Sequence, residues 1–85
     1  MRISYNKDFT KKFIRHPKKI KDKFKERLIL FEKNEFNPIL NNHALTGKYK
    51  GYRSINVSGD VRAVFRRGKD DALFVKIDSH SNLYG

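Results

Sequence analysis

Apolar residues in the first part of the chain recur at helical spacing. Phe9 and Phe13 lie four positions apart, which places them on one face of a helix. A longer stripe with a period of about 3.6 follows, and it consists of Ile20, Phe24, Leu28 and Phe31. His16-Pro17 separates the two stripes, because a residue before proline avoids helical backbone. The pattern predicts two helices, the first capped by Asn6 and the second ending before residues 37–38.

Elsewhere apolar residues alternate with polar ones, as they do in β-strands. The alternating segments are residues 2–5, 52–57, 61–66 and 73–79. Turn-forming residues at 58–60 and 68–71 separate the last three, which favours an antiparallel meander. The predicted fold class is α+β with the order β-α-α-β-β-β, in which two N-terminal helices pack on one face of a small, mainly antiparallel sheet. A chain of 85 residues is expected to form a single domain over residues 1–85.

The alternation also separates the two faces of the predicted sheet. One face is apolar and is expected to pack under the helices: Ile55, Val57, Val61, Ala63, Phe65, Leu73, Val75 and Ile77. The other face is polar and is expected to stay open: Tyr52, Ser54, Asn56, Arg62, Arg66, Lys76, Asp78 and, if the last strand continues, His80. A hairpin loop at residues 58–60 would place Asn56 directly across from Arg62. The open face is therefore the candidate working surface.

The charge of the chain indicates a polyanionic partner. It has 20 Lys and Arg residues against 9 Asp and Glu residues, a net charge of +11, and such an excess attracts polyanions. Nucleic acid, an anionic membrane and an acidic protein all satisfy this condition. No apolar run approaches the roughly 20 residues of a membrane span, and residues 1–5 lack a signal-peptide stretch. We therefore expect a cytoplasmic protein without a membrane partner.

Composition also limits the chemistry that the chain can perform. Without cysteine it has neither disulfides nor thiolate metal sites, and its three scattered His residues do not have metal-ligand spacing. Neither a metal nor another cofactor is expected. The Lys-rich faces of the two helices are interpreted as solvated surface, since a helix that reads bases usually carries Asn, Gln or Arg.

The residues of the open face suit binding and cleavage of single-stranded RNA. Arg62 offers a planar fork for phosphate oxygens, Lys76 adds a point charge, and tyrosine rings stack on unpaired bases. Cleavage without a metal uses the ribose 2′-hydroxyl as nucleophile and needs a base, an acid and a cation. His80 at the predicted face and His43 in the loop before the sheet are candidates for proton transfer. His16 is interpreted as a surface or capping residue. Taken alone, a His near a strand end is more often structural than catalytic.

Three segments of the second half resemble a known family. Residues 43–53 look like the H-x-L-x-G-x-x-x-G-x-R signature of YafQ-like toxins. Residues 59–65 are similar to the hydrophobic D-x-R-x-x-[YF] strand of the RelE/ParE toxin superfamily. Residues 78–85 resemble its terminal H-x-x-[LV]-[FY] ending. The order and spacing of all three motifs match, whereas the helical first half matches in pattern only.

The resemblance implies a toxin of a type II toxin–antitoxin system: a ribosome-dependent endoribonuclease, or mRNA interferase, that cuts mRNA in the ribosomal A site. It also implies a cognate antitoxin, usually acidic, that blocks the site and often binds operator DNA, so that contact with operator DNA would occur only through the antitoxin complex.

Site residues carry over by position. The resemblance implies that His80 is the principal general acid or base and His43 the second. Arg62 would stabilise the scissile phosphate, Asp60 would orient a histidine or the ribose, and Tyr84 would stack on a base or position His80. The further expected RNA-binding residues are Asn56, Tyr52, Arg66 and Lys76. Asn56 stands where YafQ itself has a further His, and an amide forms hydrogen bonds but does not transfer protons at neutral pH.

Two other functions fit the same pattern. One is a ParE-like toxin with the same fold that inhibits DNA gyrase and does not cut RNA. The other is a nucleic-acid-binding module without catalysis. The H-x-L-x-G segment and the terminal His80 favour the nuclease over the gyrase inhibitor, since an inhibitor needs neither.

Overall fold

The computed structural model describes residues 1–84, which form five strands and three α-helices. In chain order these are β1 Arg2–Tyr5, α1 Lys7–Arg15, α2 Lys18–Lys33, β2 His43–Ala44, β3 Arg53–Ser58, β4 Val61–Arg67, β5 Asp71–Ser79 and α3 His80–Tyr84. Gly85, the last residue of the terminal motif, lies outside the described residues. The predicted β-α-α-β-β-β order is confirmed, and β2 and α3 are additions to it.

The strands form one sheet in the order β1-β5-β4-β3-β2. β1 pairs in parallel with β5, and the other three pairings are antiparallel. Helix α1 packs mainly against β5, and α2 packs mainly against β3. The predicted α+β arrangement, with two N-terminal helices on one face of a mainly antiparallel sheet, is therefore confirmed. No helix in residues 1–84 is long and apolar enough to cross a membrane.

The boundary between α1 and α2 follows local signals in the sequence. The Asn6 side-chain carbonyl accepts the Phe9 N–H at 2.8 Å, which satisfies one of the free donors of the first turn of α1. At the other end His16 has extended backbone, with φ −71° and ψ 151°, as expected before proline. Helix α2 begins after Pro17. Both predicted signals are confirmed.

The core lies between the helices and one face of the sheet. Its buried members are Phe9, Phe24, Phe31, Leu40, Ile55, Val57, Ala63, Phe65, Ala72, Phe74 and Ile77. This confirms the expected inward positions on β3 and β4, and Val61 packs against the same cluster. The predicted cross-strand pair of Asn56 and Arg62 is also present. The turn between these strands is shorter than residues 58–60, because Ser58 already pairs with Val61.

The assignment of Leu73 and Val75 to the core is wrong. Val64 pairs with Lys76 while Phe65 pairs with Phe74, so Val75 is an extra residue in β5, which is a β-bulge. The bulge interrupts the alternation, and Ala72 and Phe74 point into the core instead. Because residues 72–75 are all apolar, the pattern alone did not reveal the interruption.

The opposite face of the sheet is only partly open, contrary to expectation. It carries a second cluster in which Leu45, Val64 and Leu83 are buried, with Tyr49, Tyr52 and Val75 packed against them. The segment before β3 and helix α3 supply its outer layer. β5 ends at Ser79 and His80 begins α3, so the strand does not continue through residue 80. This second layer narrows the exposed part of the polar face to a cleft.

Candidate active site

A polar cleft of about 390 Å³ opens where β2, β3, β4 and α3 meet. Its volume lies within the range of about 300–1,000 Å³ that is usual for ligand sites. The residues that line it are Asn41, His43, Ala44, Leu45, Thr46, Ser54, Arg62, His80 and Tyr84. His43, Arg62, His80 and Tyr84, which come from three separate segments of the sequence, thus share one cavity.

His43 is held by the backbone immediately before it. It lies on the edge strand β2, across from Ser54, and its Nδ1 is 2.8 Å from the Asn41 carbonyl oxygen. A carbonyl only accepts, so Nδ1 carries the proton and Nε2 of the neutral ring is an acceptor. Asn41 has a left-handed backbone with φ 47°, which asparagine tolerates better than most residues. The local turn therefore selects a tautomer suited to accepting a proton.

Arg62 reaches the cleft from the middle of the sheet. Its Nη1 donates to the Gly59 carbonyl at 2.9 Å and to the Val61 carbonyl at 3.3 Å. These bonds anchor one corner of the guanidinium to the β3–β4 turn. Its Nε and Nη2 donors have no acceptor among residues 1–84, so they remain available to an oxyanion in the cleft.

His80 and Tyr84 enter the cleft from α3. The His80 N–H donates to the Asp60 carbonyl at 2.8 Å, which joins the start of α3 to the β3–β4 turn. The rings of His80 and Tyr84 pack with their centroids 4.7 Å apart, and the Tyr49 ring meets Tyr84 edge-on at 5.8 Å. His80 is thus supported through both its backbone and its ring.

Tyr84 and Ser54 both line the cleft. Burial raises the pKa of the Tyr84 phenol above its ordinary value, although the nearby Ser54 hydroxyl and the Arg62 charge act in the opposite direction. Ser54 Oγ is buried and has no hydrogen-bond partner among residues 1–84. Ser54 was placed on this face by its position in the sequence but was given no role. No sequence signal marked its lack of a hydrogen bond.

Other expected site residues do not line the cleft. Asp60 contacts His80 through its backbone carbonyl, and its exposed carboxylate is not part of the lining. Asn56 lies beside Arg62 on the next strand, with its side-chain carbonyl oxygen buried and unpartnered. Tyr52 packs into the second cluster.

The two remaining candidates lie farther along the polar face. Arg66 is exposed near the end of β4. Lys76 is engaged by α1, since its Nζ lies 3.2 Å from the Asp8 carboxylate. The structure thus brings together the candidate acid–base residues and Arg62, and it leaves four of the five RNA-binding candidates outside the cleft. Residues 1–84 contain no group of three or more His, Cys, Asp or Glu side chains arranged to hold a metal ion.

The family model described as "Bacterial toxin of type II toxin-antitoxin system, YafQ" matches residues 1–85. The chain belongs to this family. It is therefore a YafQ-family toxin of a type II toxin–antitoxin system. No curated protein gives a significant match to the chain.

Solved structures agree with membership in the YafQ family. The Escherichia coli DinJ–YafQ complex contains a chain that is 25% identical to this one, with 100% of each chain covered and a TM-score of 0.77. A copper-bound mutant toxin from Helicobacter pylori is 26% identical over 99% of each chain, with a TM-score of 0.73. A YoeB/ParE toxin from Agrobacterium tumefaciens shares the fold at 16% identity, covering 94% of this chain and 99% of its own, with a TM-score of 0.77.

Proposed function

We propose that this YafQ-family toxin is a metal-independent, ribosome-dependent endoribonuclease that cuts mRNA in the ribosomal A site. The observation that carries the proposal is the shared cleft, which joins two imidazoles and a guanidinium with unused donors. A base, an acid and a cation are the groups that attack by a ribose 2′-hydroxyl requires.

In the proposed reaction His43 is the general base and His80 the general acid. His43 Nε2 removes the 2′-hydroxyl proton, and the 2′ oxygen forms a bond to the adjacent phosphorus. The bond from phosphorus to the 5′ oxygen breaks, His80 donates a proton to that oxygen, and a 2′,3′-cyclic phosphate remains. Arg62 stabilises the negative charge that builds up on the phosphate oxygens. Each proton transfer is expected to contribute about 10²–10⁴-fold.

The other site residues have supporting roles in this proposal. Asp60 orients His80 through its backbone carbonyl, and Tyr84 restricts the His80 ring by packing against it. Arg66, Asn56 and Tyr52 bind RNA along the polar face, and Lys76 joins them after exchanging Asp8 for phosphate. With few proton-transfer groups, the protein depends on the ribosome to hold the 2′ oxygen in line with the leaving group.

The proposed partners follow from charge and family. A net charge of +11 suits both mRNA and an acidic cognate antitoxin. The E. coli relative was solved in complex with DinJ, which supports an antitoxin partner here as well. Operator DNA is bound only through the toxin–antitoxin complex, and neither a membrane nor a cofactor takes part. The single domain of residues 1–85 acts in the cytoplasm.

The decisive experiment is to map mRNA 5′ ends after induction of the protein in growing cells. Growth arrest with cuts inside translated codons is expected for the wild type. Growth arrest and mRNA cleavage are both expected to disappear in three single variants, His80→Ala, His43→Ala and Arg62→Ala, while the circular dichroism spectrum stays unchanged. His16→Gln is the matched control, because His16 contacts the Ile77 carbonyl outside the cleft.

A double variant lacking both His43 and His80 that still arrests growth fully would rule out the proposed chemistry. Intact mRNA together with an induced DNA-damage response would instead identify a gyrase-binding toxin. Salt-sensitive RNA binding without any cleavage product on translating ribosomes would identify a binding module.

A further inference from the structure

Asp78, at the end of β5, connects three elements of the structure. Its Oδ2 lies 3.4 Å from the Lys12 Nζ of α1. Its Oδ1 accepts the Ser79 N–H at 2.8 Å and the side-chain amide of Asn82, in α3, at 3.0 Å. The Asp78 side chain is only 20% exposed, whereas its bond to Asn82 lies at the exposed surface.

The position of α3 depends on such bonds because the helix is short. It has five residues, far fewer than the roughly 12–15 that an isolated helix needs to be stable in water. Leu83 anchors it in the second cluster, and the Ser79 hydroxyl accepts the Asn82 N–H at 3.2 Å. Asp78 also connects α3 to α1, because it bonds to Asn82 in α3 and forms a salt bridge with Lys12 in α1.

The bonds around Asp78 favour its charged form. Burial acts against the charge, but hydrogen bonds from Asn82, Ser79 and Lys12 outweigh it and hold the pKa of the Asp78 carboxyl below its usual value. The carboxylate therefore keeps its acceptor oxygens at neutral pH. It also lies across from Arg62 in the β4–β5 register without forming an ion pair with it, since Arg62 bonds to the Gly59 carbonyl instead.

We infer that Asp78 is a positioning residue for the cleavage reaction, because its bond to Asn82 fixes α3 and thereby the places of His80 and Tyr84 in the cleft. This inference rests on the proposed function. Asp78 does not line the cleft, so it acts through α3 and does not touch the RNA.

The test compares Asp78→Ala and Asp78→Asn with a matched control. Asp8 forms the neighbouring link between α1 and β5 through Lys76 and has no hydrogen bond or salt bridge to residues 80–84, so Asp8→Ala removes a similar salt bridge and leaves the polar contacts of α3 in place. Each variant is assayed for single-turnover cleavage on programmed ribosomes over a range of toxin concentrations. Hydrogen exchange of the backbone amides of residues 80–84 is measured on the free protein.

Asp78→Ala is expected to lower the maximal cleavage rate by about 10- to 100-fold through misplacement of His80, with half-saturation unchanged within about twofold. It is also expected to speed amide exchange in α3. Asp78→Asn retains Oδ1 as an acceptor, so its cleavage rate and its amide exchange in α3 should both return most of the way to the wild-type values. Asp8→Ala should keep the wild-type maximal rate and the wild-type amide exchange in α3, and only its half-saturation should fall, because the change frees Lys76 to bind phosphate. In a double variant with Asn82→Ala, the loss should not exceed that of Asp78→Ala alone, because both changes remove the same bond.

Any of three outcomes would overturn the inference. Asp78→Ala could cleave at the wild-type rate, Asp78→Asn could be as impaired as Asp78→Ala, or the losses of rate could add in the double variant. If the wild-type protein does not cut mRNA, the proposed function fails. The exchange measurement then still decides whether Asp78 positions α3, so the two failures are distinguishable.

Discussion

His80 and Tyr84 lie one turn apart on α3, and their rings pack with centroids 4.7 Å apart at an angle of 57°. Residues separated by four positions share a helix face, so the tyrosine ring limits the rotamers available to the imidazole. The Tyr49 ring in turn contacts Tyr84 edge-on, with centroids 5.8 Å apart. Two rings thus stand behind the proposed general acid.

Substitutions of Tyr84 should separate the effect of its ring from that of its hydroxyl. Tyr84→Phe retains the packing and should cut mRNA within about tenfold of the wild-type rate, whereas Tyr84→Ala should lose up to about 100-fold. Because burial raises the pKa of the phenol, it stays protonated near neutrality, and Tyr84→Phe should leave the pH profile there unchanged. Single-turnover cleavage rates check both statements. Equal rates for the two variants would contradict a role for the ring.

The ion pair of Glu35 and Arg67 should make stability depend on pH. Arg67 Nε and Nη2 donate to the two carboxylate oxygens at 2.9 and 3.0 Å, and these bonds lower the pKa of Glu35 although burial opposes them. A carboxyl whose pKa is lower in the folded protein stabilises it above the unfolded pKa, and this contribution is lost as pH falls through the folded value.

Glu35→Gln should therefore lower the free energy of unfolding by about 0.5–1 kcal/mol at neutral pH. The difference from the wild type should shrink as the pH falls through the lowered pKa of Glu35, because the protonated carboxyl is then uncharged like the amide. Urea unfolding at neutral pH and along an acid series measures it. Glu26→Gln is the control, because Glu26 pairs with Lys23 at 3.5 Å and its side chain is 65% exposed. A constant difference between wild type and Glu35→Gln across pH would exclude the ion pair as its source.

Phe74 is the residue on which the core depends most. Its ring lies within 5.1 to 6.0 Å of five other rings, measured between centroids: Tyr5, Phe9, Phe24, Phe31 and Phe65. Phe74→Ala should cost about 3–5 kcal/mol, a large part of the roughly 5–15 kcal/mol that stabilises a small domain.

Thermal unfolding of Phe74→Ala and Phe36→Ala checks this expectation. Phe36 is 60% exposed, and the Arg53 guanidinium lies 5.6 Å from its ring centroid, so its loss should cost about 1 kcal/mol or less. Similar melting temperatures for the two variants would show that the core does not depend on Phe74.

Sequence periodicity predicted those helices and strands that are long enough for their residue pattern to recur. The two helices and the β3–β4 hairpin follow from stripes and alternation over six or more residues. β2 has two residues and α3 has five, so neither is long enough for its period to occur twice. Both are specified by tertiary contacts, through pairing with β3 and through burial of Leu83.

The assembly of the candidate site was predicted in part. Sequence alternation places Arg62 and His80 on one face of the sheet, the family motifs add His43 and Tyr84, and all four line one cleft. Their convergence depends on β2 pairing at the sheet edge and on α3 turning back over it, which are contacts between distant segments. The left-handed Asn41 and the unpartnered Ser54 depend on the local geometry that results.

The bulge in β5 determines how the chain tolerates changes in its length. Val75 and Lys76 share one side of the strand opposite Val64, so deleting Val75 would give a regular strand and leave Asp78 on its present side. Deleting Ile77 would instead move Asp78 to the side beneath the helices and carry α3 away from the cleft. Two deletions of one residue each, two positions apart, would thus preserve the cleft in one case and disrupt the proposed active site in the other.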